Sequence, residues 1–253
     1  MLDKIDYDER QHAVYARGRA VNSEAISRWM QAFARHLSPR RPLVGLDLGS
    51  GTGRFTPALA KTFGGPIYGV EPALKTRSVA ENSAHHPDVT YMPGDAAHIP
   101  LPDNSVDFVL MFLSFHHVPE RAAAATEIAR VLQPSGRLLI RSTFSGRMPD
   151  LLWHHFFPRA GTIEMQMFPS VGEVVEVFAP VGLRFLDLEA VRERLASSLA
   201  ESAARLHLRA ISTFEHLSEA ELTEGFARLD AAVAAETTPQ PIDALSDLLV
   251  LGY

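Results

Sequence analysis

Apolar residues recur at helical spacing from Asn22 or Ser23 to Leu37, at Ile26, Trp29, Met30, Phe33 and Leu37. Ser38-Pro39 closes that helix. The pattern then changes to short apolar runs that alternate with amphipathic stretches. PLVGLDLG is a continuous apolar run ending in glycine, the signature of a strand buried on both faces. Phe55 to Phe63 is predicted helical, GGPIYGVEP a second strand, Ala73 to Ala84 a helix and DVTYMPGD a third strand. VDFVLMFLSF is the most apolar run of the chain. Pro119 to Leu132 is an alanine-rich helix that stops at QPSG, and GRLLIRSTF is a fifth strand. This repetition predicts an α/β fold with a doubly wound parallel sheet, which takes its ligands at the carboxyl ends of the strands.

The second half is less regular. Residues 145–170 are rich in aromatics, His and Pro (LLWHHFFPRAGTIEMQMFP). Ser170 to Phe178 reads as a helix and LRFLDLEAV as a strand. Residues 191–235 read as two helices, the second opened by Ser218 and Glu221 in capping-box spacing. Leu195, Leu199 and Leu206 give these helices apolar stripes, read as core or dimer surface. SDLLVLGY is a final strand able to complete the sheet edge. With no internal repeat and no low-complexity linker, residues 1–253 are expected to form one domain. It would comprise an N-terminal helical cap (1–38), a ligand-binding core (40–145), and substrate-side and helical insertions (145–245).

Composition narrows the chemistry. The 253 residues are 46% hydrophobic and 21% charged, ordinary for a globular protein. No apolar run reaches the roughly 18–20 residues of a membrane span. The start, MLDKIDYDERQH, is polar and acidic and unlike a signal peptide, so the expected location is the cytoplasm. There is no cysteine, which excludes disulfides, thiolate metal sites and a cysteine nucleophile. A net charge of −6 argues against a broad nucleic-acid surface, which needs many phosphate contacts from Lys and Arg.

The candidate chemistry begins where the first strand meets its helix. Gly49, Gly51 and Gly53 occupy alternate positions there, with Asp47 just before them. Glycine permits positive φ and lets backbone approach a ligand without a Cβ in the way. A dinucleotide loop needs its third glycine, or alanine, at the position held here by Arg54. A carboxylate beside the loop is awkward for a diphosphate and suits a cationic ligand. The second strand ends in Glu71, able to accept two charged hydrogen bonds from a ribose diol. The third ends in Gly94-Asp95-Ala96, where a carboxylate and the next N–H can read an adenine edge. The fourth ends in Ser114-Phe115-His116-His117.

LDLGSGTGRF, YGVEP, GDAAHIPLPDNSVDFVLMFLSFHHV and LQPSGRLLI together resemble the successive motifs of class I S-adenosylmethionine-dependent methyltransferases. The nearest group is the small-molecule type that includes quinone-biosynthesis and natural-product enzymes. The resemblance covers roughly residues 40–142 in order and spacing. It implies a seven-stranded Rossmann-like sheet with its last strand antiparallel, and S-adenosyl-L-methionine as cofactor. Asp47 and the loop Gly49, Ser50, Gly51 and Gly53 would hold the methionyl part. Glu71 would bind the ribose hydroxyls with Pro72 beside the adenine. Asp95 and Ala96 would bind the adenine edge, with Phe112 and Leu113 lining the far side. Tyr7, Tyr15, Arg17 and Arg19 resemble the N-terminal segment that closes over the cofactor, where an arginine such as Arg19 could pair with the methionine carboxylate.

The expected reaction is methyl transfer to O, N or C of a small metabolite. The aromatic-rich 145–170 segment points to an apolar or aromatic acceptor. Aligning donor and nucleophile can itself contribute on the order of 7–11 kcal/mol. If a base is needed, His116, His117, His154 and Glu164 are candidates, His having a suitable ordinary pKa. His154 and His155 are not expected to share a metal, because adjacent helical side chains diverge by about 100°. No metal site is expected, and the assembly is expected to be a monomer or homodimer. Two other classes stay open: a methyltransferase-like protein that binds the cofactor without catalysis, and a nicotinamide-dependent oxidoreductase.

Overall fold

The computed structural model describes residues 23–253. Arg19, with Tyr7, Tyr15 and Arg17, lies outside the described residues. The first described element, α1 (Ser23–His36), buries Trp29, Met30 and Phe33 on one face, as the helical spacing requires. Next come β1 (Leu43–Leu48), α2 (Thr56–Phe63), β2 (Gly64–Val70), α3 (Leu74–Ser83), β3 (Val89–Met92) and β4 (Val106–Phe112). They are followed by α4 (Arg121–Val131) and β5 (Leu132–Ser142). Each predicted strand and helix of this half is present, with ends moved by a few residues.

The sheet has seven strands in the order β3-β2-β1-β4-β5-β7-β6, where β6 is Arg184–Ala196 and β7 is Ile242–Gly252. β1 through β5 are parallel to one another, with Asp47 level with Gly69 on one side and Leu110 on the other. The chain winds outward in one direction through β2 and β3 and in the other through β4 and β5. The switch between β1 and β4 therefore opens a crevice at the carboxyl ends of the strands.

β7 runs antiparallel to both its neighbours, with Ile140 opposite Leu249 and Glu193 opposite Ala244. Two sequence expectations are corrected here. The last strand is interior, between β5 and β6, and β6 forms the edge. β6 also continues to Ala196, so residues 191–196, Leu195 included, are strand and not helix. The antiparallel partner β7 pairs with residues 191–194 and 196, which outweighs the weak helical pattern.

Helices cover both faces. α1 and α2 pack on one, around Trp29, Phe33, Phe63 and Phe108. α4 and α7 (Val171–Phe178) pack on the other, around Ile128, Phe144 and Phe178. A third apolar cluster is built by α5 (Leu152–Phe156), α6 (Pro158–Met167), α8 (Leu199–Leu206) and α9 (Glu219–Ala235). Capping boxes open α7 at Ser170–Glu173 and α9 at Ser218–Glu221, the second as its spacing predicts.

Candidate functional site

The crevice has two halves. The first is the loop between β1 and α2. Gly51 has φ +58°, and a Cβ built on it meets nothing within 4 Å, so its space is open. Gly49 (φ +75°) is different, because a Cβ there would come within 2.5 Å of the Ser114 Cβ. Its glycine serves packing against the end of β4, whereas Gly51 leaves room in the crevice. Gly51 N–H donates to Glu71 Oε2 at 3.0 Å, and Ala73 N–H donates to Oε1 at 3.0 Å. Glu71, 8% exposed, thus ties the loop to the end of β2. Ser50 Oγ and Thr52 Oγ1 are buried and have no hydrogen-bond partner among the described residues.

Asp47 is 2% exposed at the floor of this loop and accepts a 2.7 Å hydrogen bond from Thr56 Oγ1. Burial pushes its carboxyl up to about 6, against the opposing pull of Thr56 and the Arg54 charge, and the Glu71 carboxylate adds to the rise. An open glycine, orphaned hydroxyls and two carboxylates that repel each other form a donor set suited to a polar ligand bearing positive charge. S-adenosylmethionine fits it; a diphosphate does not. Farther along, Asp95 is exposed and closes a turn by accepting from Ala97 N–H at 2.8 Å, Ala96 is buried, and Pro72 is exposed.

The second half is a cavity of about 170 Å³, partly open to solvent, over the ends of β4 and β5. It meets the loop side at Arg54, Phe112 and Leu113. Leu113 holds φ +56°, a sparsely populated conformation for a branched side chain, just where β4 ends. His116 and His117 line the cavity with ring centroids 3.9 Å apart, and His116 lies 4.3 Å from the Phe168 ring. Burial pulls the His117 imidazole down to about 4, so this ring is neutral at neutral pH and a weak proton acceptor.

The far wall comes from the helical layer. Glu164, 2% exposed, accepts from Trp153 Nε1 (3.0 Å) and Thr213 Oγ1 (2.8 Å) and pairs with His154 Nε2 (3.0 Å). Trp153 and Glu164 line the cavity, with His154 behind them as a partner of the carboxylate. His155 turns instead to Asp150, 2.7 Å away. No group of three or more His, Asp or Glu side chains able to hold a metal ion occurs among the described residues.

Sequence reasoning missed the cavity floor. Arg141, near the end of β5, donates through Nη2 to Glu193 Oε1 (2.6 Å) on β6 and to Ser246 Oγ (2.8 Å) on β7. Ser246 Oγ–H and Trp29 Nε1–H also donate to Glu193, at 2.5 and 2.8 Å. The guanidinium carbon lies 5.0 Å from the Phe112 ring centroid and 5.6 Å from that of Trp29. Burial favours a protonated Glu193, but Arg141, Ser246 and Trp29 outweigh it and hold the carboxyl below its ordinary range. The available signal was the second arginine of GRLLIRSTF, which follows three apolar residues of a buried strand, since such residues are almost never buried unless paired.

Residues 46–140 match a family described as a methyltransferase domain. Over 132 residues the chain is 31% identical to the demethylmenaquinone methyltransferase of Staphylococcus aureus strain MRSA252, covering 51% of this chain and 55% of that protein. It thus spans about half the length of the curated relatives it matches. A protein described as a candidate methyltransferase of antibiotic biosynthesis in Anabaena variabilis ATCC 29413 shares the fold, with TM-score 0.71 and 22% identity. That match covers 90% of this chain and 97% of the other. The 4+2 cyclase SpnF also shares it, with TM-score 0.58 and 19% identity over 93% of this chain and 84% of that one. At such identities the structural likeness concerns fold alone.

Proposed function

We propose that the chain, whose residues 46–140 match a methyltransferase domain family and form the core of a seven-stranded sheet of class I methyltransferase type, transfers a methyl group from S-adenosylmethionine to a small organic acceptor. The observation that carries this reading is the loop itself. Its open Gly51 is tied to Glu71 above a buried Asp47, next to a cavity over β4 and β5. Asp47 and the loop Gly49–Gly53 would hold the methionyl part, and Glu71 the ribose hydroxyls, with Pro72 beside the adenine. Asp95 and Ala96 would hold the adenine edge. The bound sulfonium supplies an electrophilic methyl carbon. The protein's task is then alignment and exclusion of water.

Phe112 and Leu113 separate the two halves and would set the line along which acceptor and donor meet. The acceptor would lie in the cavity, against Leu151, Leu152, Trp153 and Phe168. If a proton must leave, His116 and Glu164 are the groups within the cavity able to take it. His117 stays neutral there and would act as a hydrogen-bond partner, not a strong base. The working form is read as a single domain, monomeric or homodimeric.

Calorimetric titration with S-adenosylhomocysteine tests the reading. Binding should be measurable and should weaken about tenfold or more in Glu71→Ala, through loss of charged hydrogen bonds. Response to NADH, with none to S-adenosylhomocysteine, would overturn it. A second reading, cofactor binding without methyl transfer, is favoured by the fold shared with a cyclase. Label transfer from methyl-tritiated S-adenosylmethionine into an organic product separates the two.

A further inference from the structure

Arg141 has hydrogen-bonding capacity that the fold leaves unused. Its Nη2 is spent on Glu193 and Ser246, but Nε is buried with no partner, and Nη1 makes no hydrogen bond among the described residues. The side chain is held still by the Phe112 and Trp29 rings and by a carboxylate that is itself fully engaged. Burying guanidinium N–H groups unpaired is costly, and evolution usually tolerates it where a ligand completes the set. Arg141 lines the cavity, between the β4 end and the aromatic wall.

The other charges of the cavity wall favour the same kind of ligand. Arg54, Arg141, Arg194 and Arg205 line it, against Glu164 and Glu193. Arg194 is engaged by Asp243, and Arg205 by Glu201 and the Leu195 carbonyl. Glu164 already accepts from Trp153 and Thr213 and pairs with His154. Arg141 is therefore a charged group of this wall with a buried, unpaired donor. The rest of the lining, including Phe112, Leu113, Leu151, Trp153, Phe168 and Ile211, is apolar or aromatic.

We propose that this is an anion subsite: Arg141 binds an acidic oxygen (carboxylate, enolate or phenolate) carried on the apolar or aromatic body of the acceptor. The inference rests on the methyltransferase reading and deepens it by naming the acceptor's chemical class. It also bears on the need for a base. An acceptor that binds as an anion has already lost its proton to solvent, and a guanidinium stabilises that form. Neither His116 nor Glu164 need then take a proton.

The test is calorimetry on the full chain saturated with S-adenosylhomocysteine, using 2-naphthoate and its neutral isostere 2-naphthamide as probes. Wild type should prefer the carboxylate by about tenfold or more. Arg141→Gln alone strands Glu193 in the interior and endangers folding, so the decisive variant is Arg141→Gln/Glu193→Gln, which removes both charges. It should bind S-adenosylhomocysteine as wild type does and discriminate less than about twofold between the probes. Arg141→Lys, which keeps the charge and loses the Nε donor, should fall between. Absence of S-adenosylhomocysteine binding to wild type defeats the methyltransferase reading itself. With that binding intact, three results overturn the subsite: equal affinity for the probes or none for either, a preference that survives in the double variant, or loss of S-adenosylhomocysteine binding in it, which would assign Arg141 to the cofactor.

Discussion

Replacing Asp47 by Asn should make the ligand-free protein more stable while weakening its hold on the cofactor. Burial raises this carboxyl from an ordinary value of 3.8 to about 6, so above pH 6 the fold carries an ionised group that it disfavours. At 1.36 kcal/mol per unit, the displacement corresponds to a penalty of about 3 kcal/mol at neutral pH. The sign follows from proton counts. Between pH 3.8 and 6 the native state holds a proton that the unfolded chain has released, so this group's contribution falls as pH rises and is flat above 6. Urea unfolding at pH 7.5 should find Asp47→Asn about 3 kcal/mol more stable than wild type, a gap shrinking to about 1 kcal/mol at pH 4.5 by the same relation. Calorimetry should show wild-type affinity for S-adenosylhomocysteine, whose ammonium favours ionised Asp47, rising through pH 6. The variant should bind at least tenfold more weakly at pH 7.5. A variant no more stable than wild type at pH 7.5, or a gap unchanged at pH 4.5, would refute the reasoning.

His117 should produce the opposite slope. Its folded value near 4 lies below the ordinary 6.5, so stability is whole above pH 6.5 and is lost as pH falls toward 4, by roughly 3 kcal/mol. His117→Gln should flatten that limb in the same urea series. The two loop glycines should separate stability from binding. Gly51→Ala meets open space and should cost about 1 kcal/mol for its positive φ, yet lower S-adenosylhomocysteine affinity tenfold or more in calorimetry. Gly49→Ala collides with Ser114 and should cost roughly 2–4 kcal/mol in urea unfolding. Trp29→Phe removes one of three donors to Glu193 and should cost about 1–3 kcal/mol by the same measure.

The parallel half of the sheet was readable because its strands are buried on both faces and its turns are marked by Gly and Pro. PLVGLDLG and VDFVLMF admit no other placement in a chain of this length. The loop with Glu71 was readable for a related reason, since acidic residues rarely follow buried runs without purpose. The far end of β6 was not. In VRERLA the inward positions are Val191, Glu193 and Ala196, and a charged Glu193 in a buried slot disguises the period of two. Glu193 is tolerated only because Arg141, Trp29 and Ser246, from three other elements, converge on it. Contacts of such long sequence separation leave no local trace, so the cavity floor was invisible while the glycine loop was plain. The glycines carried a subtler lesson. Their spacing marked the loop, but only the fold distinguishes Gly51, which faces open space, from Gly49, which makes way for Ser114.

The interior position of β7 has a consequence for biosynthesis. β6 pairs with β7 alone, so on the ribosome it must wait unpaired until residues 242–252 have emerged. Glu193, Arg141 and Ser246 cannot meet before then. The glycine loop, Asp47 and Glu71 need only β1, β2 and β4, which emerge far earlier and lie close together in the chain. A nascent chain therefore completes the glycine loop well before the cavity floor at Arg141. Ribosomes that stall within β6 would release a chain whose β5 lacks its β7 neighbour and so offers an unpaired sheet edge to another strand.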